Sequence, residues 1–132
     1  MKIKEPTSEE LDKLLSFLPA FEKEGRTFGH WNVSKPEDEE KHLPYAVYDK
    51  DVRDFFEIAS QPCFMTRGGS NEIISKWLEN LNFYETATLE QLISALSSWM
   101  RGERFTEGLW FEALKDGHIQ RILRRMKELR YD

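Results

Sequence analysis

The sequence predicts a small, mainly α-helical domain: a bundle of five or six helices with one short two-stranded β-ribbon. Three observations carry that expectation. Apolar residues recur at helical spacing in successive stretches along most of the chain. Two of those stretches open on capping boxes, Thr7-Ser8-Glu9-Glu10 and Thr88-Leu89-Glu90-Gln91. In each, the threonine oxygen can accept from the N3 amide while the N3 side chain reaches back to the threonine amide. Finally, 132 residues with 39% hydrophobic side chains can bury one core, and the single cysteine excludes an internal disulfide.

The first capping box leads into Leu11, Leu14, Leu15 and Leu18, and Pro19 should end or kink that helix near Leu18. Gly25 to Lys41 reads as a long polar connection, pinned to the core by Phe28 and Trp31. Tyr45-Ala46-Val47-Tyr48 is the best strand, and residues 63–66 are its expected ribbon partner. Asp49 should cap a helix carrying Val52, Phe55, Phe56 and Ala59. Arg67 to Ser70 reads as a turn, followed by a stripe of Ile73, Ile74, Trp77, Leu78, Leu81 and Tyr84. The second capping box opens a helix with Leu89, Leu92, Ile93, Leu96, Trp99 and Met100 on one face, broken at Gly102. Thr106 can cap the next helix, with Leu109, Trp110, Ala113 and Leu114, and Gly117 can end it in the left-handed conformation. The last helix shows Ile119, Ile122, Leu123, Met126 and Leu129 on one face. No repeat or linker divides residues 1–132, so a single domain is expected.

Charge narrows the functional classes. The net charge of −5 argues against broad nucleic-acid binding, which needs a surplus of Lys and Arg. Residues 117–132 are the exception, with Arg121, Arg124, Arg125, Lys127 and Arg130 against Glu128 and Asp132. No apolar run has the length of a membrane span or a signal peptide, and a lone cysteine fits a reducing compartment, so the expectation is a cytoplasmic protein with no membrane partner. Gly68-Gly69 lacks the Gly-Lys-Ser/Thr of a phosphate loop, and His30, His42, His118 and Cys63 have no metal-ligand spacing. No cofactor, metal or catalytic residue is assigned from these patterns.

Three blocks, Leu14 to Trp31, Leu43 to Glu57 and above all Arg104 to Arg130, resemble a family of bacterial proteins built around the domain of unknown function 6508 (DUF6508). The resemblance runs over nearly the whole chain. Its most specific string is Arg-Phe-x-Glu-Gly followed by Gly-x-Ile-x-x-Ile-Leu. The family implies a bacterial or phage setting and supplies no activity. Its members often carry Cys and His where this chain has Thr106 and Leu109, so the resemblance implies no metal or thiol role for that segment here.

Several polar groups compete as sites, each beside a plainer reading. Arg104 and Glu107 flank Phe105 in the corner between two amphipathic helices. An ion pair that closes the corner is the plain reading, with Phe105 as the inward anchor. An anion site, with Arg104 binding and Glu107 orienting it, is the functional one; His118 reads plainly as a first-turn residue bonded locally, and as a base only with Glu107 or Glu112 to orient it. Arg121, Arg124 and Arg125 could form a basic docking face for phosphates or an acidic protein, although Arg124 and Glu128 have the i, i+4 spacing of a compensating pair. Cys63 reads as a buried, inert thiol. Trp31 is the tryptophan placed to line a groove. The leading expectation is therefore a non-catalytic module that binds a protein partner. Nucleic-acid binding through the last helix stands second. An enzyme or small-anion site near Arg104, Glu107 and His118 stands third.

Overall fold

The computed structural model describes residues 6–64, 79–80 and 82–131. The turn expected at 67–70 and most of the stripe at 73–84 lie outside those residues. Both capping boxes form: Thr7 accepts from the Glu10 amide and Thr88 from the Gln91 amide, and each N3 side chain answers the threonine amide. They open α1 (Ser8–Leu15) and α5 (Leu89–Gly102). Pro19 sits in the first turn of a separate short helix, α2 (Leu18–Phe21), where its missing N–H costs nothing. The remaining helices are α3 (Lys50–Ala59), α4 (Phe83–Thr86), α6 (Leu109–Lys115) and α7 (His118–Tyr131). Between α6 and α7, Gly117 takes φ +84°, the left-handed stop expected there. The fold is mainly α-helical.

The expected ribbon is present, but one of its strands is different. β2 (Tyr45–Tyr48) pairs antiparallel with β1 (Gly29–Asn32), so that Trp31 faces Ala46 and Gly29 faces Tyr48. Of the expected partner segment 63–66, residues 63–64 lie in a 3-10 turn (Pro62–Phe64) that buries Cys63 and Phe64, and residues 65–66 lie outside the described residues. The physical reason is burial on every side. Phe64 is fully enclosed, and its carbonyl accepts from Ser97 Oγ at 2.8 Å. Gly29 to Asn32, read from sequence as part of a polar connection, lies on the surface, where a two-stranded ribbon can leave one face in water.

Helix α7 is the hub of the core. It packs against α1, α2, α4, α5 and α6, while α3 lies across α1 and α5. Ile119, Ile122, Leu123 and Met126 have no exposed surface, as their spacing requires. Leu129 departs from the stripe and is 38% exposed.

A run of aromatic rings joins this core to the hairpin. Phe17 and Phe21 meet Phe55 edge-on at 5.6 and 5.2 Å, and Phe55 meets Phe56 at 5.0 Å. Phe56 stacks flat on Trp110, 3.8 Å away and 4° from parallel. Tyr48 then closes on Trp110 and Phe111 at 5.1 and 4.4 Å. Offset and edge-on pairs of this kind add to the stabilisation from burial alone.

Candidate functional site

The corner 103–108 between α5 and α6 does not fold as the sequence suggests. Thr106 is exposed and its side chain does not cap α6. The N-cap is Gly108, held at φ +92°, where a Cβ would overlap the ring of Trp31. The capping group comes from Glu103. Its carboxylate accepts from the Gly108 amide at 3.0 Å and the Trp110 amide at 3.0 Å, the orphan donors of the helix start. The same carboxylate accepts from the Tyr48 hydroxyl, 2.8 Å from each oxygen. Burial and the neighbouring Glu103 charge push the Tyr48 hydroxyl far above its ordinary range, so Tyr48 stays protonated and acts as a donor. Glu107 adds a second tie, accepting from the Ala46 amide of β2 at 3.2 Å. Trp110 Nε1 donates back to the Trp99 carbonyl at 3.1 Å. One side chain therefore starts a helix and clamps the hairpin onto it.

This clamp presents a set of exposed apolar side chains. Phe105 is 88% exposed, and so points outward rather than serving as the inward anchor. The aromatic anchoring falls instead to Trp110 and Phe111, in the first turn of α6. On the hairpin, Trp31 is 45% exposed and Leu43 87%; Val33 is exposed, and so is Tyr45, on the opposite face of the ribbon from Trp31. The loop ends are tied together: the Ser34 hydroxyl donates to the His42 carbonyl at 3.1 Å and accepts from the His42 amide at 2.7 Å. Beyond them lie Glu37, Asp38, Glu39 and Glu40, all exposed.

The three residues grouped as a polar site have separate surroundings. Arg104 is exposed, and neither it nor Glu107 pairs with the other among the described residues. His118 lies in the core, with Nδ1 2.9 Å from the Tyr84 hydroxyl and its ring 4.8 Å from Trp99. Desolvation lowers the His118 pKa below its ordinary value, and it raises that of Tyr84 to about 12.

The basic face is largely paired within the fold. Arg124 meets Glu22 at 3.1 Å, not Glu128 as its spacing suggests. Glu128 is taken by Arg125 at 3.0 Å, and Arg125 also donates Nε to the Ala87 carbonyl at 3.0 Å. Arg130 reaches Asp12 at 3.5 Å. Arg121 is half-buried near Tyr84 and His118. Cations paired this way have few donors left for phosphates.

Among the described residues there is no cluster of three or more His, Cys, Asp or Glu able to hold a metal ion. No described helix is long and apolar enough to cross a membrane.

Glu103 is the residue that sequence reasoning missed. Its one local signal is an acid shortly before a helix that starts on Gly. Its partner Tyr48 is remote in sequence, and nothing in the spacing couples the two. Comparison with other proteins gives a family and nothing finer: no curated protein and no solved structure matches the chain. Residues 6–132, essentially the whole chain, match the family described as "Family of unknown function (DUF6508)", and the protein belongs to that family.

Proposed function

We propose that the protein is a non-catalytic module that binds a protein partner through the β1–β2 hairpin and the adjoining corner at Phe105. The observation that carries this reading is the exposure of Phe105 and Leu43, together with Trp31 and Val33, on one hairpin and the corner that grips it. Large apolar side chains grouped on a surface mark interaction sites, whereas scattered ones do not. The scaffold beneath is pre-ordered by the Glu103 clamp, which lowers the ordering cost of association.

The chemistry of the partner follows from the loop. Four carboxylates, Glu37, Asp38, Glu39 and Glu40, stand against Lys35 and Lys41. Lys41 Nζ is drawn to the Lys35 carbonyl and the Lys35 amide donates to Asp38 at 2.8 Å, which folds the loop on itself. The fitting partner is a protein with an apolar centre rimmed by Lys and Arg.

Photo-crosslinking in cells tests this. A benzophenone amino acid placed at Phe105 or Leu43 is expected to give one discrete adduct with a basic protein. The same probe at Lys13, exposed on α1, is expected to give none. Adducts from Lys13 that match those from Phe105 would overturn the reading. An adduct of the chain with itself, with a dimer in sedimentation, would replace the partner by a second copy.

A further inference from the structure

A cleft of about 450 Å³ opens between the connection from α2 to β1 and the facing parts of α6 and α7. That volume lies within the range of small-molecule sites, roughly 300–1,000 Å³. Phe111, partly buried, supplies the open aromatic surface, while Phe21 and Phe28 are buried in the wall behind it. Every ionisable side chain in the lining is a cation: Lys23, Arg26 and Lys115.

These cations are not equivalent. Arg26 is held in a two-pronged pair with Asp51 and lies 3.5 Å from Asp49, and its guanidinium sits over the Phe21 and Phe28 rings at 5.5 and 5.0 Å. Its charge is answered, and its role is to stiffen the aromatic wall. Lys23 and Lys115 are exposed and form no ion pair among the described residues.

The second observation lies deeper. Gln120 also lines the cleft, yet it is only 7% exposed. Its Nε2 donates to the Phe21 carbonyl at 3.2 Å and the Leu114 carbonyl at 2.8 Å, which fixes the orientation of the amide. The Oε1 is left buried and without a donor among the described residues. A buried carbonyl without a donor is uncommon and unfavourable, and a ligand N–H would satisfy it.

We infer that this cleft is a binding site for a small anion that carries an aromatic ring, an N–H donor and a phosphate or carboxylate. The ring packs against Phe111, the N–H reaches Gln120 Oε1, and the anionic group lies between Lys23 and Lys115. A nucleoside monophosphate and an aminobenzoate both have this chemistry. The site is distinct from the exposed hairpin side chains and borders the hairpin through Gly29 of β1 and through Phe111, so it stands whether or not the hairpin binds a protein.

The test is titration of the full chain, followed by amide NMR, with adenosine monophosphate, 2-aminobenzoate, adenosine and inorganic phosphate. At least one of the two ring anions is expected to shift residues 25–29 and 111–115 saturably, with Kd below about 1 mM. Which of them binds distinguishes phosphate from carboxylate. Adenosine and inorganic phosphate should bind at least about tenfold more weakly, since each lacks one half of the recognition. Thr27→Trp, which fills the mouth of the cleft from an exposed position, should abolish the shifts. Should that variant unfold, the paired change Lys23→Glu and Lys115→Glu carries the test, with a loss of about tenfold or more. No saturable shift with either ring anion up to about 10 mM would overturn the inference. So would shifts that inorganic phosphate reproduces, or shifts that survive in both variants.

Discussion

Replacing Glu103 by Ala should loosen α6 and the hairpin together. The carboxylate accepts from the Gly108 and Trp110 amides, each at 3.0 Å, and from the Tyr48 hydroxyl at 2.8 Å. Its removal leaves two amides of a helix start and one hydroxyl without their acceptor. Loss of a capping side chain costs about 0.5–2 kcal/mol. A hydrogen bond to a charged acceptor contributes about 1.5–3 kcal/mol. Glu103 and Tyr48 are half-buried, so water takes over part of what is lost. The lower half of the combined range applies, about 2–3 kcal/mol. Urea unfolding of wild type, Glu103→Ala, Tyr48→Phe and the double variant measures it. Tyr48→Phe removes one donor and should cost about 1 kcal/mol. The double variant should cost less than the sum of the two, because both act through one contact. A loss below about 0.5 kcal/mol for Glu103→Ala, the size of an ordinary surface change, would refute the clamp. Strict additivity would refute the coupling.

Gly108→Ala should destabilise by roughly 1–3 kcal/mol and shift the Trp31 fluorescence, because it combines a positive φ with overlap of the indole. Ile122→Ala, at a fully buried site on the hub helix, should cost about 2–5 kcal/mol, whereas Leu129→Ala should cost less than about 1 kcal/mol by denaturant midpoint. The hydrogen bond from Arg26 holds the Asp51 carboxyl below its ordinary value of 3.8. A depressed carboxyl stabilises the fold above the unfolded pKa and loses that contribution as pH falls through the folded one, so an acid titration below about pH 4 should be less steep in Asp51→Asn. His118 is lowered from 6.5 by burial, so the unfolded chain takes up its proton first. Stability should therefore decline as pH falls below about 6.5, and His118→Gln should flatten that slope in thermal melts between pH 7 and 5.

What could be read from the sequence was local in character. Thr7 and Thr88 cap their helices because the donor, acceptor and spacing lie within four residues. Ile119, Ile122, Leu123 and Met126 are buried because one helical period places them together. The errors share the opposite property. Tyr45–Tyr48 is recognisable as a strand, but its partner Gly29–Asn32 lies across the long loop of residues 33–44, which fixes no register by itself. Thr106 looked like a cap, but a carboxylate five residues before Gly108 reached its amide first. Phe105 looked like an anchor because aromatic residues in tight corners usually turn inward. In the structure Trp110 stacks on Phe56 from α3 and anchors this corner, while Phe105 faces solvent. Arg124 and Glu128 had helical spacing, yet each found a better-placed partner. In every such case a contact distant in sequence or a competing neighbour decided the outcome, and periodicity carries no trace of it.

The clamped hairpin is proposed above as a protein-docking surface. The most direct measurement is the affinity of the partner captured at Phe105 for purified wild type, Leu43→Asp and Phe105→Asp. Both positions are almost fully exposed, so both variants should keep the wild-type melting temperature. The account predicts that each weakens binding by at least about tenfold, and that added salt weakens the wild-type complex through the acidic loop. Unchanged affinity in both variants, with the fold intact, would contradict it.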